Sequence, residues 1–380
     1  MNIKPVKLIK SFRCDVLIYD DICSHWLERA TPDNVSVAHL STRFSFPIFV
    51  CSRFWVTLLR YLIPFRRQKK PYFLAYLYAL VATIQPKIVV TGADNNVGLA
   101  SLAEITPDVL FIFVQTALRD TNQGFPSGIK LPTYFGFGQS ERLIFSSLGV
   151  SSRQYLPIGS IKLGYALSDP APPRFAYADL LFISDHRPGR AEITLPPLER
   201  AIEAASNLLF MHSWEYAQKY GLTLRVVAKS REPHRHDQER LHYQTLCRNY
   251  PFDFVTEIKS SRGLDTYHAL LVSDIVINNG STLGFEALAA GKKVLFGASM
   301  NPQLIKDWGV SAYFDQVPGF MCIQQEDFLH FEKKLNALRA LPLAKYQRHT
   351  STVARELIAQ DTDCPPHEYI RETIRQYLLT

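Results

Sequence analysis

The densest chemical signal is the run Asn278-Asn279-Gly280-Ser281-Thr282-Leu283-Gly284-Phe285-Glu286, set between two apolar stretches. A glycine that lets the chain turn, followed by Ser281 or Thr282 as a helix cap, predicts a strand, a tight turn and a helix. The first amides of such a helix lack intrahelical acceptors, and with the helix dipole they form an anion site suited to a phosphate. Glu286 lies one turn further on, within reach of a ribose hydroxyl. The plainer alternative is a capped helix of any α/β domain. A second cluster, Asp185-His186-Arg187-Pro188-Gly189-Arg190, offers a nucleophile or base, a proton carrier and an anion clamp. It also reads as a solvated loop with local ion pairs. Lys229 and Arg231 bring cations that could neutralise a phosphate or a sugar carboxylate. Asp94-Asn95-Asn96 adds a carboxylate that serves either as a base toward a hydroxyl or as a helix cap. His234-Arg235-His236-Asp237 runs in series rather than at the spacing of one helical face, so it reads as a solvated basic loop, and no metal is expected. His242 and His268 stand at helical spacing from apolar neighbours and read as structural.

Such residues need strand ends to hold them. Residues 15–19 and 35–40 predict two strands, 73–84 an apolar helix, 87–90 a short buried strand, 97–105 a helix and 109–114 a further apolar strand. Unbroken apolar runs between helices signal a parallel sheet covered on both faces. After Tyr134 the pattern loosens, and 156–163 leads into the proline-rich stretch 168–174, the composition of a domain boundary. The same grammar then restarts. Strands are expected over 179–184, 222–228, 252–258, 274–278 and 293–296, with helices over 198–220, 238–249, 264–272 and 281–290. The expected architecture is α/β: two Rossmann-like domains, 1–165 and 175–345, facing a central cleft, with C-terminal helices over 346–380 packing back on the first. Ligands of such sheets lie at the carboxyl ends of the strands. Asp185, directly after a strand, would then sit on the cleft rim, and Asp94 would end a strand of the N-terminal domain.

The 380 residues suffice for two cores. The chain is 47% hydrophobic and 20% charged, the balance of a globular protein. A net charge of +7 suits an anionic partner such as a membrane surface, a nucleotide or an acidic glycan. No signal peptide or membrane span is read, because Arg53 and Arg60 interrupt the most apolar stretch, 46–62. Six scattered cysteines with no C-x-x-C pair fit a reducing, cytoplasmic setting. Arg66-Arg67-Gln68-Lys69-Lys70, flanked by Trp55 and Tyr72-Phe73, suits peripheral contact with the inner face of an anionic membrane, or equally a buried helix followed by a solvated loop. No nucleic-acid-reading module is present, so nucleic acid is not an expected partner.

The order Ser281-Thr282-Leu283-Gly284-x-Glu286-Ala287, followed by Gly291-Lys292-Lys293-Val294, resembles the donor-phosphate helix of bacterial surface-polysaccharide glycosyltransferases of GT-B type. Val114-Gln115-Thr116-Ala117-Leu118-Arg119-Asp120 is similar to the strand-end loop of that group's N-terminal domain. Pro157-Ile158-Gly159-Ser160-Ile161-Lys162 is similar to its interdomain approach. Within the group the similarity leans to enzymes that move 3-deoxy-manno-octulosonate (Kdo) from CMP-Kdo in capsule and O-antigen assembly. The resemblance implies a nucleotide-sugar donor, a glycan or glycolipid acceptor, no cofactor and a β-linked product formed with retention. It implies donor contacts at Lys229, Arg231, Asn279, Gly280, Ser281, Thr282, Gly284 and Glu286, and acceptor contacts at Asn96, Gln115 and Arg119. Asp185, His186 and Asp94 become the catalytic candidates, with Asp185 first and Asp94 second as the covalent nucleophile. A sugar-nucleotide epimerase of the same fold and a non-catalytic scaffold that binds polysaccharide are the competing readings.

Overall fold

A computed structural model describes residues 4–63, 71–119, 128–169, 175–188, 195–229, 233–248, 252–256, 263–361 and 363–379. The chain divides into two compact units. The first comprises Met1–Leu118, Gly124–Gly164 and Asp361–Thr380; the second comprises Arg119–Gln123 and Tyr165–Gln360.

The first unit is built on a six-stranded sheet that is parallel throughout. Its strands are β2 (Val16–Tyr19), β3 (Val37–Leu40), β5 (Ile88–Thr91), β6 (Leu110–Val114), β7 (Lys130–Gly136) and β8 (Ser151–Pro157), in the order β3-β2-β5-β6-β7-β8. β2 and β5 are buried along their whole length, as unbroken Val/Leu/Ile runs between two helical layers must be. A separate parallel pair joins β1 (Val6–Ile9) to β4 (Phe46–Phe49). The sequence pattern misses β7 and β8. Pro132 interrupts β7 just before its pairing with β6 begins at Thr133, and β8 is a polar edge strand. To this unit belong the helices α1 (Ser24–Arg29), α2 (Ser52–Leu62), α3 (Pro71–Ile84), α4 (Val97–Ile105), α5 (Gln139–Ser147) and the start of α6 (Ile161–Ser168).

The second unit has a five-stranded parallel sheet: β9 (Ala178–Ile183), β10 (Leu224–Val227), β11 (Asp253–Val255), β12 (Ser273–Asn278) and β13 (Lys293–Phe296), in the order β11-β10-β9-β12-β13. Its helices include α7 (Pro197–Tyr220), α8 (Pro233–Leu246), α9 (Asp265–Leu271), α10 (Thr282–Ala289), α11 (Pro302–Trp308), α12 (Ser311–Phe314), α13 (Phe328–Ala340) and α14 (Leu343–Leu357). The expected basic loop at His234–Asp237 is instead the first turn of α8, with His236 buried. The C-terminal expectation needs one correction. α14 packs on α10 within the second unit, and only α15 (Pro366–Leu379) belongs to the first. There Arg371 donates to the Arg29 carbonyl at 2.7 Å, and Tyr369 meets Phe135 edge-on.

Candidate functional site

Chain order in the second sheet reverses at β9: β10 and β11 lie on one side, β12 and β13 on the other. Ligands of such sheets sit at this switch point, beyond the carboxyl ends of the strands. The register aligns Ile183 with both Val227 and Asn278. The segments that leave the sheet there therefore start side by side: Asp185-His186-Arg187 after β9, Lys229 after β10 and Asn279-Gly280-Ser281 after β12. Tertiary structure thus brings together three separated sequence signals.

Asp185 is almost fully buried, and Lys229 Nζ donates to its Oδ1 at 2.8 Å. Its Oδ2 is closed to solvent and has no hydrogen-bond partner among the described residues. Beneath the pair lies a buried polar cluster. Glu239 accepts from the Lys229 amide at 2.8 Å and from the Ser184 hydroxyl, while Tyr243 donates to Ser184 Oγ at 2.8 Å. The Ser184 hydroxyl also accepts from the His186 amide at 3.2 Å, so it fixes the backbone that carries both Asp185 and His186.

His186 is held by other partners. Its Nδ1 meets the Glu203 carboxylate, and its ring stacks on His242 with centroids 3.8 Å apart and planes 6° from parallel. His242 Nε2 in turn meets Asn207 Oδ1 at 2.9 Å, and Arg187 pairs with Glu199 at 2.6 Å. Glu199, Glu203 and Asn207 recur every four residues, so one stripe of α7 serves all three. Burial pushes the Glu203 carboxyl up, but the hydrogen bond and charge of His186, with His242 and Lys229, more than offset it and leave it below the usual carboxylate range. Burial and the neighbouring His186 push His242 down to about 4, against the pull of Glu203. His242 is therefore a neutral platform at pH 7 rather than a cation. The sequence reading of His242 as merely structural misses this contact; the 199/203/207 stripe is the signal that points to it. His186, Glu203 and His242 offer ligand atoms within 4.8 Å of one another. The two rings are parallel, however, so an ion in the plane of one lies off the plane of the other.

The turn after β12 differs in detail from its sequence reading. Ser281 occupies the cap position of α10, but its side chain makes no capping hydrogen bond. Asn278 does the work instead: its Oδ1 accepts from the Ser281 amide at 3.0 Å, and its Nδ2 donates to the Ser281 carbonyl at 3.3 Å. Gly280 is not among the glycines with positive φ. It is needed because a Cβ there would stand 2.7 Å from the Trp308 ring. At Gly284 a Cβ would stand 2.1 Å from Asn278 Nδ2. Asn279 is buried, and its amide donates to the Ile202 carbonyl on α7 at 3.2 Å. Thr282 and Ser281 are half-buried at the start of α10. Glu286 is buried, and the Tyr267 hydroxyl lies 2.9 and 3.0 Å from its two oxygens, sharing its one proton with a carboxylate that faces α9. Arg231 lies outside the described residues.

The first unit treats its candidates differently. Asp94 is wholly buried and accepts from the Tyr134 hydroxyl at 2.7 Å. The cap of α4 is Asn96, which accepts from the Leu99 amide at 3.1 Å. Gln115 spends its amide internally, on the Phe137 amide at 2.7 Å, the Ala117 carbonyl at 3.0 Å and the Glu141 carboxylate, so it is a structural bracket. Arg119 belongs to the second unit, where the Tyr313 hydroxyl bonds both its amide and its carbonyl.

Three comparisons bear on this arrangement. The chain matches the model of a family described as "putative O-antigen biosynthesis protein" over residues 151–364. No curated protein matches. Solved structures similar along nearly the whole chain include the Methanocaldococcus jannaschii UDP-GlcNAc 2-epimerase in complex with UDP-GlcNAc and UDP. It has a TM-score of 0.54 at 10% identity, covering 98% of this chain and 100% of that one. The wall teichoic acid polymerase TagF has a TM-score of 0.53 at 12% identity, covering 96% and 89%. A glycosyltransferase from Rickettsia africae has a TM-score of 0.50 at 10% identity, covering 97% and 98%. At such identities the likeness is one of fold: each unit is Rossmann-like, as in proteins of GT-B type. With more than half of its length matched, the chain belongs to this O-antigen biosynthesis protein family.

Proposed function

We propose that the protein transfers a sugar from a nucleotide-activated donor during assembly of a surface glycan, with the donor at the carboxyl end of the second sheet. The observation that supports this most is the meeting of the α10 start, the Lys229–Asp185 pair and the Glu203–His186 pair at one switch point. The α10 amides and Lys229 would take the donor phosphate, a task that needs no metal because helix amides and a lysine supply the positive potential. Asp185 positions Lys229. His186, 14% exposed and oriented through Nδ1 by Glu203, is the better placed proton carrier. This assigns Asp185 a lesser role than covalent nucleophile, since its free oxygen is closed to solvent. Glu286 would act from behind the phosphate turn, through Tyr267. The donor proposed is CMP-Kdo, on the sequence resemblance, with a glycan or glycolipid acceptor and a β-linked product.

The test is a thermal-shift panel of CMP, CDP, UDP and GDP, followed by product analysis with the matching sugar donors. A ligand bound by the native state alone raises stability, by about 2.7 kcal/mol at a hundredfold excess over Kd. CMP is expected to stabilise most. Equal or greater stabilisation by UDP removes Kdo from the proposal, and no response to any nucleotide removes the donor site itself. The epimerase neighbours favour a second reading, for which UDP-GlcNAc would be converted with solvent deuterium uptake in the absence of any acceptor. Binding without turnover of any kind would leave the scaffold reading.

A further inference from the structure

Helix α2 buries only one of its faces. Phe54 is fully buried, and Leu58, Tyr61 and Leu62 pack against the core of the first unit. Tyr61 is clamped to α3 by Tyr78, with ring centroids 4.2 Å apart and hydroxyls at 3.2 Å. The opposite face should be polar in a helix that ends its packing there. It is not. Trp55, Leu59 and Ile63 follow one another at four-residue intervals, with Val56 beside them, and they are 46%, 63%, 71% and 63% exposed in that order. Four large apolar side chains in one outward stripe are more than the scattered exposure normal for a protein surface. Arg53 and Arg60, both exposed, flank the stripe, and no acidic residue occurs on α2 or α3.

The charge of the whole chain points to what covers this stripe. Residues 34–93 contain eight Lys and Arg and no Asp or Glu. The rest of the chain carries the other 34 Lys and Arg and all 35 acidic residues, so this one segment accounts for the entire net charge of +7. An apolar stripe bordered by arginines, in an acid-free segment, is the surface chemistry that lies in the headgroup region of an anionic bilayer. A protein partner would need an acidic rim, and a second copy of this chain would bring the same positive charge against itself. We infer that α2 docks the first unit onto an anionic membrane surface, with Trp55, Val56, Leu59 and Ile63 entering the interface and Arg53 and Arg60 meeting lipid phosphates.

The experiment uses the full chain and large unilamellar vesicles of phosphatidylcholine alone or with about a third phosphatidylglycerol. Wild-type protein should sediment with the anionic vesicles and not with the neutral ones, and added salt should weaken that binding steeply. Lipids brominated along the acyl chain should quench its fluorescence, and Trp55→Phe should abolish the quenching. The doubles Leu59→Ser/Ile63→Ser and Arg53→Gln/Arg60→Gln should each lower vesicle partitioning at least about tenfold with an unchanged melting temperature. Failure of the wild type to bind anionic vesicles at low salt overturns the inference. So does equal binding by the melted-in-parallel variants, quenching that survives Trp55→Phe, or a wild-type dimer that Leu59→Ser/Ile63→Ser converts to monomer without vesicle binding in either form.

Discussion

Asp185 and His186 are adjacent in the chain, yet different elements hold them: Lys229 at the end of β10 for the first, Glu203 on α7 for the second. That division separates their roles. A carboxylate tied to a lysine and closed to solvent positions a cation. An imidazole whose Nδ1 is engaged by a carboxylate has its other nitrogen left for proton transfer, the same logic by which a third group orients the base beside a nucleophile. His186→Ala is expected to lower turnover by about 10²- to 10⁴-fold, the usual worth of a positioned acid or base. Asp185→Asn, which keeps shape, should cost within about tenfold in turnover and act mainly on nucleotide affinity. Steady-state kinetics with melting curves on each variant checks this, and the reverse order of effects would restore Asp185 as nucleophile.

At the scale of elements, the turn between β12 and α10 is held by packing rather than by unusual dihedral angles. Asn278 brackets Ser281 through both of its side-chain atoms, which requires the helix to pass close over it. Gly284 is the residue that allows this, since a Cβ there would overlap the Asn278 amide at 2.1 Å. Helix propensity alone favours Ala over Gly by about 1 kcal/mol in a helix interior. Gly284→Ala should nevertheless destabilise, because the Asn278 bracket must break or α10 must shift, at a cost of about 1–3 kcal/mol. Chemical denaturation measures the sign directly, and a stabilised variant would show that the close approach has no consequence. The stripe Glu199, Glu203 and Asn207 makes α7 the other element on which the site depends, through the His186–Glu203 and Arg187–Glu199 pairs.

For the whole molecule, the chain's return to its first unit has a predictable consequence. α15 buries Ile370 and Ile374 completely, in the unit whose sheet lies far earlier in the sequence. Each is worth about 1.5–3 kcal/mol of burial. Deleting residues 361–380 should therefore destabilise the first unit and leave nucleotide binding by the second unit in place. Hydrogen exchange resolved along the chain is the measurement. Equal loss of protection in both units would show that they unfold together.

Periodicity made most of both sheets legible: β2, β5, β6, β9, β12 and β13 are short apolar runs between helices, and burial on two faces leaves little else they could be. It failed at β7 and β8, where a proline and an edge position remove the apolar signature. It also failed at the C-terminus, where amphipathic pattern shows that α14 and α15 are helices but not which sheet each covers. At the site, residue types alone flagged Asp185, His186, Lys229 and the turn around Ser281, because charge and glycine stand out at the ends of apolar strands. Which of them meet was decided by strand order. The reversal at β9 puts the ends of β9, β10 and β12 side by side, and α7 then lays Glu203 on His186 and Asn207 on His242. The same packing removed Gln115 from the list, by engaging its amide with Phe137, Ala117 and Glu141 inside the first unit. A side chain's chemistry is written in its type; whether that chemistry is free to act depends on partners tens of residues away, and only the folded chain supplies them.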